Sequence, residues 1–163
     1  TFRDFFIKKY NNISQNIAHF GFSLLILSIL FNSLFSSEII TNLKVGETFN
    51  DSKTKIFFKS IDQKEEKNFK SITANFNIEN SMGIIENLSP ELRIYNQPNI
   101  VTSEADIKTT MMSDKFIVIN VVQNQDYFNV RYQVKPFMLW IWLSVLLISF
   151  GGLLSLFKKK YEQ

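Results

Sequence analysis

The stretch FMLWIWLSVLLISFGGLLSLF, Phe137 to Phe157, carries no charge along its whole length. A helix needs about 20 predominantly apolar residues to cross a bilayer, so this run predicts a membrane-spanning helix. Trp140 and Trp142 lie near its start, where amphipathic indoles favour the boundary between hydrocarbon and water. Toward the N-terminus a second run, Ile13 to Phe35, meets the same length requirement. It exceeds the apolar stretch of about 7–15 residues in a secretory signal, and no small-x-small cleavage site follows it cleanly, so it predicts a second, retained helix. Arg3, Lys8 and Lys9 precede the first run, and Lys158, Lys159 and Lys160 follow the second. Short cytoplasmic segments carry excess Lys and Arg, which places both termini on that side and Glu38 to Lys135 outside; Arg131 and Lys135 are the opposing charges.

Between the two runs the period changes to two, the signature of half-buried strands. Ile72, Ala74, Phe76 and Ile78 alternate with polar residues, as do Phe128, Val130, Tyr132 and Val134. Lys115 to Val122 reads as a more fully buried strand, joined to the last by a hairpin turn at Gln123-Asn124-Gln125-Asp126. Leu43 to Phe49 and Lys55 to Ile61 add two strands around the turn-forming Asn50-Asp51-Ser52, while Asp62 to Lys67 reads as an exposed charged loop. Leu88 to Ile107 is less periodic and is expected to wrap the surface. The expected fold class is therefore membrane α+β: two transmembrane helices bracketing a β-rich exterior domain, with a small barrel as one form of it. The boundaries are a flank at 1–12, helices at 13–36 and 136–157, the β-rich domain at 37–135 and a basic tail at 158–163. About a hundred residues are enough for an independent core.

The chain has no cysteine, which excludes disulfides, zinc–thiolate sites and cysteine nucleophiles within it. Its net charge of +3 is accounted for by the helix flanks, and no basic stripe interleaved with aromatics points to nucleic acid. Glu91, Glu104, Asp106 and Asp114 have no histidine or serine nucleophile arranged beside them in sequence, so no hydrolase signature is present. A transporter fragment is the less attractive reading, because neither apolar run is broken and neither holds a carboxylate. The chain opens on Thr1 and enters directly a basic, aromatic stretch, as expected for the later part of something longer.

His19, the only histidine, stands inside the first apolar run. An ionisable group at membrane depth is costly unless something compensates it. Helical spacing puts it on one side with Asn12, Gln15, Asn16 and Ser23. Two readings follow: a hydrogen bond inside a packed helix bundle, or a neutral imidazole donated to a metal or haem iron. Haem suits the site better than a bare ion, because neither run offers an acidic or sulfur ligand besides Met138. In the second run Ser144, Gly151 and Ser155 form a small-residue stripe that lets another helix approach closely.

Several strings then align with a known family in its own order. They are Ala18-His19-Phe20-Gly21, Leu43-Lys44-Val45-Gly46-Glu47-Thr48-Phe49, Ser89-Pro90-Glu91-Leu92-Arg93-Ile94-Tyr95 and Thr102-Ser103-Glu104-Ala105-Asp106-Ile107. Asp114-Lys115-Phe116-Ile117-Val118, Val130-Arg131-Tyr132-Gln133-Val134-Lys135-Pro136 and Trp140-Ile141-Trp142 through Gly151-Gly152-Leu153-Leu154-Ser155-Leu156 continue the series. On these the chain resembles the C-terminal part of the CcmF/NrfE family, the large haem-lyase subunit of cytochrome c maturation. It departs in having Phe116 for the usual tyrosine, and Lys115 after Asp114 in place of an arginine before it. The resemblance implies that His19 is an axial ligand of a transmembrane haem b, the second ligand lying outside this chain. It further implies an inner membrane of a bacterium or organelle, haem received from a haem chaperone and joined to an apocytochrome c with other maturation subunits, and electrons from quinol. The family's tryptophan-rich haem-handling segment is absent here. From the residues alone the alternative is a two-helix anchor presenting a β-rich adaptor or chaperone domain without haem.

Overall fold

The computed structural model describes residues 2–122 and 126–159, with side chains described from 13 to 122 and from 126 to 156. Gln123, Asn124 and Gln125 of the expected hairpin turn lie outside the described residues. The chain divides into two compact units: the helices with residues 110–114, and a β unit of 37–109 and 115–134.

In the helical unit, α1 runs Phe2–Phe35 and α2 runs Met138–Lys159. Their segments Ile13–Phe35 and Met138–Leu156 are each long and apolar enough to cross a membrane. Along α1 the less exposed positions recur at steps of three and four: Ser14, Ala18, Gly21, Leu25, Ser28 and Asn32. That spacing gives a seam along which a second helix can lie. Two glycines make the approach close. A Cβ on Gly21 would stand 3.0 Å from the Ile148 backbone nitrogen, and one on Gly151 only 2.8 Å from the Ala18 nitrogen. Small residues at such a seam let backbones meet where burial of apolar surface gives no driving force between helices in lipid. The seam's hydroxyls are satisfied locally, Ser28 donating to the Leu24 carbonyl at 2.7 Å and Ser144 to that of Trp140 at 2.6 Å. At the far end of the pair the Asn32 amide donates to the Pro136 carbonyl at 2.6 Å, and Phe31 meets Phe137 at 5.1 Å between ring centroids. Phe137 itself sits at φ +59°, a left-handed conformation unusual for an aromatic residue, where the last strand turns into α2.

Among the described residues the β unit holds ten strands: β1 (Ser37–Leu43), β2 (Thr48–Asn50), β3 (Thr54–Glu65), β4 (Phe69–Asn80), β5 (Ile85–Leu88), β6 (Glu91–Tyr95), β7 (Ile100–Glu104), β8 (Asp106–Thr109), β9 (Ser113–Val121) and β10 (Phe128–Pro136), the ends of the last two belonging to the helical unit. They form a four-stranded sheet in the order β1-β10-β9-β8 and a six-stranded sheet in which β2-β3-β4-β6-β7 are consecutive and β5 pairs with β4. The sheets curl around one core as a half-barrel. Ile56 and Phe58 of β3 and Ala74, Phe76 and Ile78 of β4 fill it from one side, with Ile117 and Ile119 of β9 and Val130 and Tyr132 of β10 from the other. Phe58 links the two, stacked on Phe76 at 4.4 Å and edge-on to Phe128 at 5.7 Å.

Three stretches differ from the sequence expectation. Leu43–Phe49 is not one strand: β1 ends at Leu43, and a turn with Gly46 at φ +88° leads into β2. Asp62–Glu65 is not loop but the continuation of β3, paired from Asp62↔Thr73 to Glu65↔Lys70. That hairpin extension is mostly exposed, so its residues carry charge without losing the ladder. Leu88–Ile107 is likewise built into strands, since β6 pairs with both β4 and β7.

Candidate functional site

On α1, Gln15, Asn16, His19 and Ser23 are all exposed, on the opposite side from the seam with α2. The side chain of Asn12 lies outside those described. Ser23 Oγ donates to the His19 carbonyl at 2.9 Å, which satisfies the hydroxyl and leaves the imidazole uninvolved in that bond. Phe20 and Phe22, 63% and 57% exposed, flank it. Among the described residues no group of three or more His, Cys, Asp or Glu side chains converges on a metal position. His19 is thus a single exposed imidazole on that face of α1. Met138 is turned elsewhere, its sulfur 3.9 Å from the Asn32 amide.

Of the small residues in α2, Ser144 and Gly151 are buried and Ser155 is exposed. Gly21, whose packing role sequence reasoning missed, closes the same seam from α1. Its signal was the seven-residue interval from Ser14 to Gly21 to Ser28.

The family-like strings of the β unit meet in polar networks. Glu91 and Glu104 are register partners on β6 and β7. Arg93 reaches both, at 3.1 Å and 3.8 Å, and lies over the Phe69 ring. Its hydrogen bond is the main reason the Glu91 carboxyl is held below the ordinary value. Asp106 accepts from the Ser89 backbone N–H at 2.6 Å, while the Ser89 hydroxyl donates to Asn75, which donates onward to Asp62. Glu86 on β5 is almost buried and binds Lys115 of β9 at 2.7 Å, with Lys108 of β8 at 3.7 Å. This ion pair ties the six-stranded sheet to the four-stranded one. These contacts join strands; none assembles a nucleophile with a base.

Two long apolar helices bracketing a two-sheeted antiparallel domain define a helix-bracketed β-sandwich. Residues 34–136 match the family described as CcmF C-terminal beta-sandwich, and the chain belongs to that family. The cytochrome c-type biogenesis protein ccl1 of Rhodobacter capsulatus is 33% identical over 145 residues, 89% of this chain and 22% of that protein. Cytochrome c-type biogenesis protein CcmF of Pseudomonas fluorescens is 30% identical over 148 residues, 91% of this chain and 22% of that protein. The solved structure of Cytochrome c Heme Lyase CcmF superimposes with a TM-score of 0.69 at 17% identity, over 91% of this chain and 25% of that one, a likeness of fold. The chain thus spans about a fifth of the length of the curated relatives it matches.

Proposed function

We propose that this chain is the C-terminal portion of a cytochrome c haem lyase subunit and that His19 is an axial ligand of a transmembrane haem b. The observation that carries the reading is the position of the only histidine: exposed on α1, opposite the α2 seam, in a chain whose relatives are cytochrome c biogenesis proteins. A neutral imidazole on that side can meet a group supplied from outside this chain, and a second axial ligand must come from there too. When bound, such a haem would supply one-electron redox chemistry; His19 would hold its iron, with Phe20 and Phe22 as the apolar side chains beside it. On this reading α1 and α2 cross the inner membrane of a bacterium or organelle, with the β unit on the exterior side. The whole protein would take haem from a haem chaperone and ligate it to apocytochrome c with other maturation subunits, quinol being the electron source. On this reading the ligation is the work of the full-length protein and its complex, not of this portion alone.

The test is the reduced-minus-oxidised optical spectrum of the membrane-inserted full-length protein with His19 and with His19→Ala, insertion being checked for both. Loss of the b-type bands in the variant supports the assignment. Unchanged bands reduce His19 to a packing residue and leave a helix-anchored adaptor domain.

A further inference from the structure

The turn between β8 and β9 ends in two adjacent methionines, Met111 and Met112, 68% and 64% exposed. Surface methionine pairs at a loop tip are unfavourable in water and suit a deformable apolar medium. This tip belongs to the helical unit rather than to the β unit that supplies its strands. The Trp140 indole N–H donates to the Met111 carbonyl at 2.9 Å, and the Phe137 N–H donates to the Met112 carbonyl at 2.9 Å. Within the turn, the Thr110 N–H and hydroxyl both donate to the Ser113 carbonyl, at 3.0 and 2.7 Å. The Ser113 N–H returns a bond to the Thr110 hydroxyl at 3.1 Å. No charge occurs from Thr109 to Ser113; Asp114 follows directly, and Lys108 and Lys115 on either side are both drawn to Glu86.

Irregular backbone enters a non-aqueous layer only if its polar groups find partners, and here the Met111 and Met112 carbonyls are satisfied by the Trp140 indole and by the Phe137 N–H just before α2. Trp140 stands two residues into that helix, about 3 Å along its axis. An indole at this level marks the hydrocarbon–water boundary of a spanning helix. The apolar belt continues on α2 itself, where Leu139, Trp142 and Leu143 are exposed.

We propose that the 110–113 turn is an interfacial anchor: Met111 and Met112 insert into the headgroup–acyl boundary of the bilayer beside α2, clamped there by Trp140 and Phe137. The occupant of this patch is lipid. The proposal rests on the reading that α2 spans a membrane, and the test separates the two.

The chain has no cysteine, so single Met111→Cys, Met112→Cys and Leu146→Cys variants of the full chain can each carry one NBD fluorophore. They are reconstituted in nanodiscs of phosphatidylcholine and phosphatidylglycerol. Quenching by lipids with a nitroxide high on the acyl chain is compared with quenching by aqueous iodide, free NBD-cysteine in buffer serving as the water reference. The anchor predicts blue-shifted emission at 111 and 112, with severalfold stronger quenching by the shallow nitroxide than by iodide. Iodide quenching at both positions approaching that of the free dye, with Leu146 quenched by lipid, overturns the anchor and leaves the spanning helix. Shielding of 111 and 112 from both quenchers means that protein covers the tip and also overturns it. Absence of lipid quenching at Leu146 overturns the membrane reading and the anchor together. Having two adjacent positions guards against one variant failing to fold.

Discussion

Gly151 of α2 lies directly against Ala18 of α1: a Cβ there would stand 2.8 Å from the Ala18 nitrogen and 2.9 Å from the Ser14 carbonyl oxygen. Both obstacles are backbone, so no side-chain rotation relieves them. Gly151→Val is expected to cost about 1–3 kcal/mol of helix-pair stability, as overpacking does. Gly152, one residue on, has nothing within 4 Å of its Cβ position, so Gly152→Ala should cost nothing and add up to about 1 kcal/mol of helix propensity. Thermal unfolding in one detergent, run side by side, checks the pair; equal losses at 151 and 152 would refute the close approach.

The two lysines near Glu86 should not be equivalent. Lys115 is 16% exposed and 2.7 Å away, whereas Lys108 is 44% exposed and 3.7 Å away. Removing Lys115 leaves a nearly buried carboxylate without its close partner, so Lys115→Met is expected to cost about 2–3 kcal/mol. Lys108→Met should cost less than about 1 kcal/mol. Urea unfolding of the two variants gives the comparison, and a Lys108 effect as large as that of Lys115 would contradict it.

Burial, and secondarily the negative charge of Glu86, push the Tyr132 phenol up to about 12. An unfolded tyrosine ionises near pH 10. Because the folded state holds the proton more tightly, this contribution to stability is complete below about pH 10 and is lost as pH rises from there toward 12. Tyr132→Phe should remove that part of the alkaline destabilisation. The near-ultraviolet tyrosinate absorbance of the folded protein, together with unfolding curves of both forms across the window, measures it.

Phe58 is fully buried between the sheets. Phe58→Ala is expected to cost about 3–5 kcal/mol through lost burial and the cavity left behind. Phe57 is its neighbour on the opposite, less buried face of β3, and Phe57→Ala should cost distinctly less. Denaturant midpoints of the two variants test the assignment of faces.

The helices and the central strands were legible because their periods are strong. Ala74, Phe76 and Ile78, and likewise Val130 and Tyr132, are buried at every second position as the residue types suggest, although Gln133 on the other face of β10 is buried too. Asp62–Glu65 was not legible, because most of that hairpin arm is wet and only its pairing with β4 makes it strand. The short β6 and β7 were hidden for a related reason: Leu92 is the one fully buried apolar residue described in them, too little for an alternation to show. At the candidate site, period alone grouped Gln15, Asn16, His19 and Ser23. It could not say which helix face would meet α2, since both faces of α1 are rich in apolar residues and the choice is made by small ones.

The pairing of β1 with β10, from Ser37↔Val134 to Leu43↔Phe128, sets an order of events during synthesis. β1 leaves the ribosome right after α1, yet among the described residues its one ladder partner is β10, the last of the domain's ten strands to be made. At about 5–20 residues per second, it waits on the order of ten seconds with an open hydrogen-bonding edge. The first strand of the domain is therefore the last to be secured, and in that interval the nascent chain is most exposed to mispairing or to capture by a chaperone.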